Sequence, residues 1–149
     1  MANPRMARDA REAFLAETHV GLFAVAEAGR GPCAVPVWYQ YTPGGPVRIT
    51  MGAHSKKCEL LKMAGRATLC AQQEALPSKY VTVEGPVAVV DGDLAATQRE
   101  MAVRYLGAKL ADKYLAAYAG GLAHEVIVEL HPERWWSVDF SLVTLSKPA

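Results

Sequence analysis

Ser55, Lys56 and Lys57 stand in a row where a strand-like run gives way to a helical one, and they are the residues of this chain best suited to hold an anion. Ser55 is placed to cap a helix, its hydroxyl accepting from a backbone N–H of the first turn. Two ammonium groups beside the positive end of a helix macrodipole do nothing for the helix itself. Together with free backbone N–H groups and a hydroxyl, however, they supply what a phosphate or another polyanion requires. A solvated lysine pair is the alternative. Other chemistries lack a motif. There is no GxGxxG after a strand, no GxxxxGK[ST] and no GxSxG, which removes support for dinucleotide-fold, P-loop and serine-hydrolase readings. The four histidines, His19, His54, His124 and His131, show neither HxH nor HExxH spacing, so no metal site is expected. His54 adjoins Ser55 and is suited to meeting an anion or water, whereas His131, before Pro132, reads as a strand-end residue. Cys58 reads as a packed thiol, because it sits on the apolar stripe of the helix that the lysines open.

The elements that position these residues follow from periodicity. Val47, Ile49 and Met51 alternate with Arg48 and Thr50, a strand with one buried face, and Cys58, Leu61 and Met63 with Leu60 and Ala64 then form a short helical stripe. Upstream, an amphipathic helix is expected over 6–16, a buried strand over 19–26, a turn over 27–32 and a second strand over 33–41. Pro36 cannot donate to a ladder, which points to an edge, a bulge or a place where something else meets the backbone. The TPGGP sequence at 42–46 reads as a hairpin, and such short turns imply antiparallel pairing. Downstream come strands over 66–72 and 79–90, the latter bent at Gly85 and Pro86. Helices over 94–106 and 109–118 are parted by Gly107 and closed by Gly120 and Gly121, and strands over 124–130 and 135–142 follow. With no repeat or linker, the expectation is one α+β domain over residues 1–149. About six or seven mainly antiparallel strands would close into a small barrel with peripheral helices.

Composition narrows the partners. A net charge of +1 argues against general nucleic-acid binding, which draws its affinity from many cations meeting phosphates. Three cysteines without a CxxC pair favour a reducing, cytoplasmic compartment. No apolar run approaches the roughly 20 residues of a membrane span, and the first residues lack a signal-peptide core, so no membrane partner is expected. Aromatic surface is left over. Alternation sends Tyr39 and Tyr41 to one side and Trp38 to the other, and Trp135 and Trp136 pose the same problem. A dimer interface and ligand stacking both account for such rings, and a cleft between two protomers unites them.

The runs AVPVWY at 34–39, ITMGAHSKKCELL at 49–61, YVTVEG at 80–85 and RYLG at 104–107 together resemble the split β-barrel flavin- and deazaflavin-binding family. More narrowly, they are similar to its pyridoxamine 5'-phosphate oxidase-like branch, which includes reductases using coenzyme F420. The resemblance implies a homodimer with the cofactor in a groove at the interface. It places phosphate on Ser55, Lys56 and Lys57, lines the pocket with Thr50 and Met51, and flanks the tricyclic ring with Pro36, Val37 and Trp38, while Tyr80 reaches in from the partner chain. Lys79 and Arg48 are further cations, available to a deazaflavin tail or equally left in solvent. The closing SLVTLSKPA departs from the arginine- and histidine-bearing tail of classical pyridoxamine phosphate oxidases, which favours F420 over B6-phosphate oxidation. The implied activity is hydride transfer from reduced F420 to a conjugated or electrophilic small molecule. The alternatives are an FMN-dependent oxidoreductase of the same fold, or a non-catalytic flavin, deazaflavin or tetrapyrrole carrier. Tyr39, Tyr41, His54 and Tyr80 are proton donors by type, and none is assigned that role.

Overall fold

A computed structural model describes residues 3–143 and sets eight strands among them in one antiparallel sheet. In chain order the elements are α1 (Arg8–Ala16), β1 (Gly21–Val25), β2 (Cys33–Val37), β3 (Gln40–Tyr41), β4 (Val47–Gly52) and α2 (Lys56–Ala64). There follow β5 (Arg66–Gln73), β6 (Lys79–Val90), α3 (Leu94–Ala117), α4 (Ala119–Leu122), β7 (Glu125–Leu130) and β8 (Arg134–Asp139). The strands run β2-β1-β5-β6-β7-β4-β3, with β8 beside the first half of β6. The fold is an α+β split barrel.

Strand β6 is its spine. On the edge away from β5, Glu84 pairs with Arg134 of β8 and Val87 with Leu130 of β7. Gly85 and Pro86 therefore oppose three residues, 131–133, a bulge that bends the sheet where the two halves of the barrel meet. His131 N–H donates to the Pro86 carbonyl and Glu133 N–H to that of Glu84, both at 2.9 Å. Only glycine fits at Gly85, since a Cβ there would lie 1.8 Å from the His131 carbonyl oxygen.

The alternation read from the sequence sorts the side chains. Phe23, Val25, Ile49, Met51, Leu69, Val81, Val83, Val128 and Leu130 point inward and are fully buried or nearly so, each contributing roughly 1.5–3 kcal/mol. Helix α1 adds Phe14 and Leu15, and α2 adds Cys58 and Leu61, so the Cys58 thiol is packed. Ser55 caps α2, and Gly65, at φ 70, ends it in the left-handed region.

Closure is where the structure departs from a single strand over 33–41. The two ends of the strand order, β2 and β3, are joined by Trp38 and Tyr39 alone, so the chain itself bridges the barrel's open edges. Periodicity continues across the join while the pairing partner changes from β1 to β4, which gives two strands and raises the strand count to eight. The Tyr39 hydroxyl donates to the Leu15 carbonyl at 2.6 Å. The Tyr105 hydroxyl accepts from Tyr39 N–H at 3.0 Å and donates to the His19 carbonyl at 2.6 Å. Arg104 donates to the carbonyls of Ala16 and Glu17, which satisfies the end of α1. The RYLG segment thus acts on the seam.

Two boundaries toward the C-terminal end differ from expectation. Helix α3 is broken at Gly107 (φ 79), as foreseen, but Gly120 and Gly121 lie inside the short α4. Strand β8 stops at Asp139, whose carboxylate accepts from Ser141 N–H at 2.9 Å and starts a 3-10 turn over Phe140–Leu142. The tail at 144–149 lies outside the described residues. Among those residues no helix is long and apolar enough to cross a membrane, and no cluster of metal-ligating side chains occurs.

Candidate functional site

The short β3 leaves a gap in the barrel wall. It pairs only with Val47 and Arg48, so residues 49–52 of β4 have β7 on one side and no strand on the other. Strand β2 likewise pairs only with β1. Between these two open edges lies a cleft of about 230 Å³. Pro36, Val37 and Trp38 line one wall and Thr50, Met51 and Gly52 the other. Lys57 of α2 and Glu125 of β7 reach in, and Gln98, Met101, Ala102 and Tyr114 of α3, with Leu122, cover it. Backbone groups on an unpaired strand edge are hydrogen-bonding partners for whatever occupies the space beside them.

One wall is aromatic and rigid. The Trp38 indole stacks on the Tyr105 ring at 4.9 Å between centroids and 7° between planes, and Tyr114 tilts against it at 5.5 Å. Tyr118 extends the series beyond Tyr114 at 5.0 Å. Because the Tyr105 hydroxyl is tied to the seam, the indole has a fixed support. The opposite corner is charged. Lys57 is half-buried and makes no ion pair among the described residues. The Glu125 carboxylate accepts from Gln98 Nε2 at 3.0 Å. Burial raises the Glu125 carboxyl above its ordinary range, against the lowering influence of Gln98, Lys57 and Thr50.

Six of the nine residues singled out in the sequence therefore meet in one cleft: Pro36, Val37, Trp38, Thr50, Met51 and Lys57. Three lie elsewhere. The Ser55 hydroxyl is spent on the corner itself, donating to the Gly52 carbonyl at 2.8 Å and accepting from Cys58 N–H at 3.3 Å. Lys56 turns away to Glu27, 3.2 Å from its carboxylate. Tyr80 sits on the outer face of β6, opposite Gln72 and Val138. Arg48 pairs with Glu129 at 3.0 Å and Lys79 with Asp139 at 3.7 Å. Tyr39 and Tyr41 are buried by the seam and α1, and burial raises both hydroxyls above the usual phenol range.

Pro36 lines the cleft and is also exposed on the outer face of the sheet. From there one cross-strand row runs Pro36, Leu22, Cys70, Thr82, Trp136. Leu22 is 46% and Trp136 51% exposed, a large apolar presence on a sheet surface. A broader groove of about 700 Å³ between Thr18 and Ala75 also borders Pro36 and this face.

Sequence reasoning missed Gln98, Met101, Tyr114 and Glu125. Only the helical period of α3 signalled that one face of it is buried, and nothing in the sequence named the cleft as what that face covers.

Among solved structures, a conserved hypothetical protein of Mycobacterium tuberculosis aligns with a TM-score of 0.74 at 18% identity, over 100% of this chain and 96% of its own. A candidate pyridoxamine 5'-phosphate oxidase of Listeria innocua gives 0.63 at 11% identity, over 87% and 96%. An F420 reductase gives 0.60 at 18% identity, over 84% and 94%. No family model and no curated protein matches the sequence. At such identities the likeness establishes the fold alone, a split barrel shared with these structures.

Proposed function

We propose that this chain is an oxidoreductase that uses reduced coenzyme F420 to transfer hydride to a conjugated or electrophilic small molecule, and that it works as a homodimer. The observation that carries the reading is the cleft between the open edges of β2 and β4, which joins a rigid aromatic wall at Trp38 to a cation at Lys57. A flat ring system with an anionic tail suits that combination, and Trp38, Lys57 and the exposed edge backbone all fit it. The deazaflavin supplies the hydride chemistry when bound. The protein's own part is to fix the ring against Trp38, to hold the charged tail at Lys57 and to keep water out with the inner face of α3. The cleft is too small for the whole cofactor, which supports a site completed by a second chain. The outer-face row from Pro36 to Trp136 is the surface proposed to meet that chain, and it would bring Tyr80 of the partner subunit toward the cleft. The three cysteines are free, which fits a cytoplasmic setting.

Fluorescence titration with F420 and, separately, absorbance titration with FMN tests the reading. F420 binding, followed by oxidation of the reduced form when enones or quinones are added, is the expected result. Tight FMN binding with no response to F420 replaces the deazaflavin by a flavin. F420 binding with no turnover of enones, quinones or tetrapyrroles makes the protein a carrier.

A further inference from the structure

Glu125 is the residue of the cleft that the proposed ligand does not account for. It opens β7 opposite Gly52, and its carboxyl lines the same space as Lys57. Its orientation is fixed, because Gln98 Nε2 bridges Oε1 at 3.0 Å and the Leu122 carbonyl at 2.7 Å. The charged and titratable groups around it are Lys57 from α2, Tyr114 from α3 with Tyr118 behind it, and His124, its exposed neighbour in the chain. Gln98 and the Thr50 hydroxyl complete the surroundings from α3 and β4. Lys57 is the one cation lining the cleft among the described residues, and a ligand anion would have to share it with this carboxylate. Two anions in a partly desolvated space repel strongly, and the inexpensive way out is for one to take a proton.

We propose that Glu125 couples binding in the cleft to a proton: it takes up a proton as a phosphate-bearing cofactor binds, changing from a repelling carboxylate into a hydrogen-bond donor. The proposal rests on the reading that an anionic cofactor occupies this cleft. Gln98 suits the switch, since its amide donates to Oε1 in either state and leaves Oε2 to carry the proton. Burial already moves the carboxyl in the required direction before any ligand arrives. The linkage has a definite sign. Affinity is constant at pH values below the carboxyl's midpoint in the free protein. Above it, affinity falls about tenfold per pH unit until the midpoint of the complex is reached.

The test is binding of F420 and of FMN between about pH 5 and pH 8 to the wild-type, Glu125→Gln and His124→Gln proteins, with proton uptake by the wild type measured calorimetrically in two buffers of different ionisation heat. Ionisation of the ligand is common to all three proteins and cancels between them. The expected result is a falling affinity in the wild type and in His124→Gln. In Glu125→Gln the slope is removed and binding at the alkaline end is tenfold or more tighter than in the wild type. In the pH range where wild-type affinity falls, uptake should approach one proton per ligand. An unchanged slope in Glu125→Gln, or no uptake by the wild type, overturns the role of Glu125 and leaves the cofactor reading standing. The same pattern with FMN alone keeps Glu125 and removes F420. Failure of both ligands to bind any of the proteins overturns both.

Discussion

Lys56→Ala and Lys57→Ala alter adjacent residues of the same type, yet the structure makes their consequences unequal. Lys57 faces the cleft, half-buried and without an ion pair among the described residues, while Lys56 is 56% exposed along its side chain and lies 3.2 Å from Glu27. At a separation of ~4 Å and an effective dielectric of ~20, an ammonium and a phosphate attract by about 4 kcal/mol. That is an upper bound, because both must lose water. Hydrogen bonds to charged groups measured by substitution contribute about 1.5–3 kcal/mol. Lys57→Ala should therefore weaken cofactor binding by roughly 10- to 150-fold. Lys56→Ala removes only a solvent-screened pair with Glu27 and should stay within about threefold of the wild type. Fluorescence titration of the three proteins with F420 at low and high salt reads both effects, with the difference between Lys57→Ala and the wild type narrowing as salt rises. Equal losses, or a larger one for Lys56→Ala, would refute the assignment of the anion to Lys57.

Three further outcomes follow from the same geometry. Gly85→Ala drives a Cβ to 1.8 Å from the His131 carbonyl, so a loss above about 4 kcal/mol in urea unfolding, or no folded protein, is expected. Wild-type stability in that variant would refute a bulge closed to any side chain at this position. Tyr105→Phe keeps the ring beneath Trp38 but strands the Tyr39 N–H and the His19 carbonyl, costing about 1–3 kcal/mol. At about 2–4 °C per kcal/mol the melting temperature should drop by roughly 2–12 °C, with ligand affinity nearly unchanged; a loss of affinity without loss of stability contradicts this division of labour. Trp136→Asp places a charge on the most exposed large side chain of the outer row, at its β8 end, and sedimentation should show a monomer that also binds cofactor poorly. A dimer surviving that change moves the interface elsewhere.

The corner between β4 and α2 was legible because two hydrophobic periods meet there within a few residues, and Ser55 marks the switch by its type. Pro36 was legible as an edge residue, and β2 does end the strand order. What adjacency hides is direction. Consecutive helical residues point about 100° apart, so Lys56 and Lys57 are equivalent in the sequence while one meets Glu27, in the turn between β1 and β2, and the other the cleft. The β2-to-β3 join was hidden for a related reason. Inward and outward alternation runs unbroken through Trp38 and Tyr39, and periodicity carries no information about which strand lies alongside. Glu125 was hidden by its surroundings: in HEVIVEL it is an ordinary polar residue on a strand, and only the docking of α3, which brings Gln98 to it, makes it part of a site.

The split itself explains why a site exists at this place. A closed barrel leaves no unpaired strand edge, and its interior is filled by side chains. Here Trp38 and Tyr39 cross from one half of the barrel to the other, and a covalent link replaces the last ladder of hydrogen bonds. The structure repairs part of that loss with the Tyr105 hydroxyl and the Arg104 guanidinium, which bind carbonyls and an amide along the seam. It leaves the stretch between residues 36–38 and 50–52 without a strand partner on the facing sides. Partly buried backbone groups on such an edge need partners, and water or a ligand in the cleft can supply them. Pro36 removes one donor from that edge, shifting its character toward acceptance, while Trp38 supplies an adjoining flat surface. A planar ligand with hydrogen-bonding atoms along one rim meets both demands at once, and a purely apolar ring meets only the second. Substrate-sized hydrocarbons should therefore compete poorly for the cleft, whereas heteroaromatic rings bearing an imide or another N–H donor along one rim should compete well even when they lack a phosphate.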